Sequence, residues 1–227
     1  SLETDFEPIQ WSLRDAWQRF AGRTGRLFFM PDSESRLSHN ELLERIDERP
    51  FAENDGHFGI GNVLMNLRII AKSRQRFGIL ADGYPDQVKL FDSVITMLAD
   101  PANETRQYFF KAFEQEFQKT NKFLFEDNPS YFRNQLAAAL PDEESFQHVR
   151  AMAKRGDLIS LHVNLFDSAR MKEIADALAS SGRTLGTVYL TNLTWFLKGD
   201  EDFYRLEKSE KDIDGFWGNI EYLCNGD

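Results

Sequence analysis

The stretch that most constrains the fold runs from residue 158 to residue 190. LISLHVNLFD (158–167) is rich in strand formers and ends in a polar turn. SARMKEIADALASSG follows, with Ser168 suited to an N-cap, apolar residues at helical spacing, and Gly182 just past the end. GTVYL (186–190) then reads as a second buried strand. Strand, amphipathic helix and strand joined by short loops make a βαβ unit, whose strands lie parallel because the helix carries the chain back across one face.

The preceding chain extends that pattern. FGILAD (77–82) is a short apolar run ending in Asp82 and Gly83, and Pro85 opens a helix that turns Val88, Phe91, Ile95 and Leu98 inward. NVLMNLRIIAKSRQ, from Asn62, is helical, with Val63, Leu67 and Ile70 along one face. PFAENDGHFGIG (50–61) is dense in turn formers and is predicted as a loop. Helices are expected over 103–120, with Phe109, Phe113 and Phe117 in line, over 129–139, and over 142–155 between Asp142 and Gly156. The expected fold is α/β, a Rossmann-like three-layer α/β/α sandwich.

Residues 1–50 are expected to form an N-terminal helical arm, and 51–227 the α/β domain. In the arm, Ile9, Leu13, Trp17 and Phe20 share a helical face, Leu27–Met30 is a strand or an anchor, and Ser38 with Glu41 forms a capping box for a helix reaching Glu48. The tail from 199 is acidic and aromatic.

Charge narrows the partners. A net charge of −10 and a pI near 5.0 argue against nonspecific nucleic-acid or anionic-membrane binding, which needs a basic surface. No apolar run approaches the ~20 residues that span a bilayer. The lone Cys224 allows no internal disulfide and no cysteine cluster, so a cytoplasmic location is expected. His39, His57, His148 and His162 show no ligand spacing, so no metal site is expected; His162, inside an expected core strand, reads as a buried, hydrogen-bonded histidine. Neither a phosphate-binding GxxxxGK[ST] loop nor a GxSxG elbow occurs.

Two groups of residues carry candidate chemistry. Gly59, Gly61 and Asn62 precede a helix, and Asp82 lies 21 residues beyond Gly61 at a strand end, with Gly83 after it. A nucleoside site needs glycines for close backbone approach and a carboxylate about 20 residues on for ribose hydroxyls. A plain turn before a helix explains the same glycines. The second group comprises Asn164, Phe166 and Asp167 after one strand, and Asn192 and Trp195, with Thr191, after the other. Both sets fall at the carboxyl edge of a parallel sheet, where ligands bind. Helix capping by Asp167 or Ser168, and core packing by Trp195, are the competing readings.

The segment FQHVRAMAKRGDLISLHVNLFDSARMKEIADALASSGRTLGTVYLTNLTWFL resembles the C-terminal half of a group of bacterial proteins with an S-adenosylmethionine-dependent methyltransferase-like fold. Those proteins end a strand in Tyr-Leu-Ser-Asn; here Tyr189-Leu190-Thr191-Asn192 stands at that place. HFGIGNVLMNLRIIAKSRQRFGILADGYPDQ looks like the group's glycine loop and second strand. The resemblance implies S-adenosylmethionine as cofactor, with Gly59, Gly61 and Asn62 along its methionine side and Asp82 on the ribose. Asn164 and Asp167 would face the methyl group or acceptor. A small-molecule or protein acceptor is implied. The aromatic-Pro tetrapeptide of amino-methylating relatives is missing after the fourth strand.

Two functions follow from this reading. One is a methyltransferase that works mainly by positioning. The other is a non-catalytic protein-interaction module on the same fold, with a homodimer through Phe109, Phe113, Phe117 and Phe123 as one form. A strand ahead of the GIGN loop would favour the first.

Overall fold

A computed structural model describes residues 27–29, 43–44, 46–47, 51–120, 129–190 and 210–225. Five strands form one parallel sheet: β1 (Leu27–Phe29), β2 (Asp55–Ile60), β3 (Gly78–Asp82), β4 (Leu158–His162) and β5 (Thr184–Tyr189). Their order across the sheet is β1-β5-β2-β3-β4. The helices are α1 (Val63–Ser73), α2 (Pro85–Ala99), α3 (Arg106–Thr120), α4 (Pro129–Ala139), α5 (Glu143–Arg155), α6 (Ser168–Ser180) and α7 (Glu210–Asn225), with a 3-10 turn at Pro101–Asn103.

The centre of the sheet, β2, β3 and β5, is buried on both faces. Phe58, Ile60, Ile79, Ala81 and Val188 pack against Met171 and Ile174 of α6 and Phe216, Trp217 and Ile220 of α7. Leu80 and Leu158 point the other way, into a core of Val63, Leu67, Phe91, Val94, Phe109, Phe113, Leu136 and Phe146 from α1 to α5. This alternation of strand side chains between two helical layers makes the molecule an α/β protein in three layers.

Helix ends follow the local chemistry. Asn62 Oδ1 accepts the Leu64 and Met65 N–H groups at 3.1 and 3.2 Å and opens α1. Asp142 accepts the Ser145 N–H at 2.7 Å, and Gly156 closes α5 at φ 75°. Asp167, not Ser168, caps α6 by accepting the Arg170 N–H at 3.0 Å.

Four expectations change. Residues 55–60, expected within a loop, form the central strand β2; Asp55 and two glycines hide it from propensity, yet Gly56 leaves room for the Phe77 ring. The clearest strand by sequence, β4, is shorter than 158–167 and lies at the sheet edge, with Ile159 44% exposed. His162 is therefore exposed rather than buried. Finally, parts of residues 1–50 belong to the main body: Leu27–Phe29 pair with β5, and Leu43 and Ile46 bury against Met65, Ile69 and Tyr189.

Phe109 and Phe113 fill the chain's own core, with rings 5.7 Å apart, so they offer no homodimer surface. Phe117 packs beside them at 4.4 Å from Phe132, and Phe123 lies outside the described residues. Among the described residues no helix is long and apolar enough to cross a membrane.

Candidate functional site

The sheet order creates a switch point at the carboxyl edge. From β2 the chain goes to β3 and then β4 on one side, while β5 pairs with β2 on the other. The carboxyl edge between β2 and β5 is the place where open parallel sheets hold ligands; the chain beyond Leu190 lies outside the described residues. The turn that leaves β2 is Gly61-Asn62. Gly61 has φ 72°, a conformation that favours glycine, and Asn62 begins α1 directly after it.

That turn is held from the side by two groups. The Gly61 N–H donates to Asp82 Oδ2 at 3.2 Å, and Gln87 Nε2 donates to the Gly61 carbonyl at 2.8 Å. Asp82 Oδ1 accepts the Tyr84 N–H at 2.9 Å. Asp82 is only 7% exposed, and burial pushes its carboxyl above the usual range; backbone donors from Tyr84, Gly61 and Gly83 and the nearby His162 oppose that shift. Asp82 thus joins the β2 and β3 loops, with backbone N–H donors already on its oxygens.

It is held from beneath by a buried polar cluster. Asn66 Nδ2 donates to the Ile60 and Asn62 carbonyls, at 3.2 and 3.0 Å, on either side of Gly61. Asn66 Oδ1 lies 2.8 Å from His57 Nε2, and His57 Nδ1 lies 2.8 Å from Thr187 Oγ1 on β5. Thr187 Oγ1 is in turn 3.0 Å from Gln75 Oε1. His57 is fully buried, and desolvation lowers its pKa to about 4 despite the Asn66 hydrogen bond.

The two sequence-derived groups separate. Gly61, Asn62, Asp82 and Gly83 come together on β2 and β3. Gly59 is inside β2, where a Cβ would overlap Asn66 and His57; its missing side chain makes room for the cluster. Asn164, Phe166 and Asp167 follow β4, three strand spacings from β5, or about 14 Å across the sheet. They share the carboxyl edge with β5 but do not meet it. Asn164 Oδ1 accepts the Phe166 N–H at 3.1 Å in a local turn, and the Phe166 ring packs 5.3 Å from Phe216. Asn192 and Trp195 lie outside the described residues.

Sequence reasoning missed His57, Asn66, Gln87 and the place of His162. Asn66 had a signal: in NVLMNLR it interrupts the apolar face four residues after the cap. His162 pairs in register with Asp82 and sets its Nε2 3.1 Å from the Gly83 carbonyl. Nothing local in the sequence brings those two strand ends together.

Over residues 130–206 the chain matches the family model described as Domain of unknown function (DUF7790). That span includes β4, α6 and β5, with Asn164, Asp167 and Thr187, and stops short of the Gly61 turn and Asp82. No curated protein matches the chain.

Proposed function

We propose that the chain binds S-adenosylmethionine across the carboxyl edge of its sheet and methylates a small-molecule or protein acceptor. The observation that carries this reading is the β2–Gly61–α1 turn at the switch point, joined by hydrogen bond to Asp82 at the end of the neighbouring strand. A strand does stand before the glycine turn, which is what a nucleoside site of this kind requires.

The donor set also favours this cofactor over a dinucleotide. A pyrophosphate needs free N–H groups at the start of the helix. Those of Leu64 and Met65 are already taken by Asn62 Oδ1. The turn is left suited to a ligand without phosphate. Asp82 fits a ribose: its carboxylate oxygens accept backbone N–H groups and still keep lone-pair capacity for a hydroxyl donor.

Bound there, the cofactor supplies an electrophilic methyl group on a sulfonium. The residues of this chain hold and orient it. Gly61 allows close approach by lacking a side chain, Asp82 accepts the ribose hydroxyls, and Gln87 and Asn66 keep the turn from shifting. On this reading Asn164 and His162, beside Asp82, would meet the end of the ligand remote from β5, with the acceptor on the β5 side.

The non-catalytic reading draws on a different observation: Gly61 and Asp82 satisfy each other without any ligand. Isothermal titration with S-adenosylmethionine and S-adenosylhomocysteine, beside an Asp82→Ala variant, separates the two. Micromolar binding by the wild type that Asp82→Ala loses supports the cofactor site. No heat with either compound overturns it and leaves the interaction module.

A further inference from the structure

The cluster beneath the glycine turn has only one consistent arrangement of protons for a neutral histidine. Asn66 Nδ2 donates to two carbonyls, which fixes Asn66 Oδ1 as an acceptor, so His57 Nε2 must carry the hydrogen. A second hydrogen on Nδ1 would make a fully buried imidazolium, and no carboxylate is among its hydrogen-bond partners. His57 Nδ1 is therefore an acceptor, and the Thr187 hydroxyl donates to it.

That spends the single Thr187 proton. Thr187 Oγ1 must then receive its bond to Gln75, yet the Gln75 atom 3.0 Å away is the carbonyl oxygen Oε1, itself an acceptor. Gln75 Nε2, meanwhile, is buried without a hydrogen-bond partner. Turning the amide end over lets Nε2 donate to Thr187 and leaves the carbonyl oxygen in the partnerless place, where an under-used acceptor is better tolerated than a bare N–H. The cluster becomes a one-way chain, Gln75 to Thr187 to His57 to Asn66, ending on the carbonyls that flank Gly61.

We propose that this chain is the positioning device of the carboxyl-edge site, with His57 and Asn66 as positioning residues that hold the Gly61 turn in its ligand-ready shape. Four observations converge on it. The chain crosses from β5 to α1 at the switch point. Asn66 donates to the carbonyls on both sides of the turn. Gly59 lacks a side chain where one would collide with Asn66 and His57. And the amide turn removes an unpaired buried donor. The part of this inference concerning ligand affinity rests on the cofactor reading above; the part concerning the turn does not.

The test uses Thr187→Val, which keeps the shape and removes the hydroxyl, with Thr187→Ser to restore it. Side-chain nitrogen NMR of wild-type protein should find His57 neutral at pH 7 with its hydrogen on Nε2. In Thr187→Val, amide exchange at Gly61 should quicken and S-adenosylmethionine affinity should fall, each about tenfold, the scale of one lost hydrogen bond; Thr187→Ser should recover both. A hydrogen on Nδ1 in the wild type, or a Thr187→Val protein with unchanged Gly61 exchange, overturns the chain. If Gly61 exchange quickens but affinity holds, the turn is positioned for something other than this ligand, and the positioning claim fails. If wild-type protein binds no S-adenosylmethionine, the cofactor reading fails by itself, and the exchange and NMR results still decide the chain.

Discussion

His57 and His162 are the same side chain in two opposite settings. His57 is in the middle of the central strand, out of reach of water, with both ring nitrogens engaged across β5 and α1. His162 ends the edge strand, exposed, with Nε2 on the Gly83 carbonyl. In the centre the protein controls the proton, because a charge there would have to leave water entirely. At the edge the ring is exposed and can meet a ligand at little cost to the fold.

The largest effect expected from this contrast is in acid. His57 binds its proton only near pH 4 in the folded chain, against the ordinary value of 6.5 when unfolded. The unfolded chain therefore takes up that proton first, and stability falls as pH drops from 6.5 to 4, then levels off, for a loss of about 3 kcal/mol. Asp82, whose pKa is raised, contributes the opposite slope: its share of stability is full below the unfolded carboxylate value and is lost as pH rises through the folded one. Urea unfolding across this range should show the acid loss in the wild type and in His162→Gln alike. If His57→Gln retains the full slope, the loss comes from elsewhere.

A smaller effect tests the turn itself. Gly61→Ala forces a side chain into φ 72° and should lower stability by about 1 kcal/mol, read as a shift in the denaturant midpoint. The smallest belongs to the edge. His162→Gln should move stability by less than about 0.5 kcal/mol, since one exposed bond to a carbonyl is replaced by another. A large loss there would erase the contrast between the two histidines.

Much of the architecture was legible because helices announce themselves by period and cap. Asn62, Asp142, Gly156 and Gly182 all stand where the sequence expected helix boundaries. β2 was not legible, because its glycines answer to neighbours far along the chain: Gly56 yields to Phe77, and Gly59 yields to the Asn66–His57 pair. Such glycines look like a turn in sequence and act as packing in space. β4 misled in the other direction. Its alternating Leu and Ile residues satisfy any strand rule, and nothing in LISLH tells an edge from a centre. The glycine turn and Asp82 were legible as a pair by their spacing, whereas the wide gap between Asn164 and the end of β5 follows only from sheet order.

That order has a consequence for how the chain acquires its structure. The strand that completes the centre of the sheet is the last to be made: His57 and Thr187 are separated by 130 positions. Contacts of such long range form late, after the entropy of closing a large loop has been overcome. A nascent chain that has only reached α5 holds β2 with one edge bare and a histidine awaiting its second partner. The switch point, and any ligand it serves, can come into being only once the chain through β5 is available to close it.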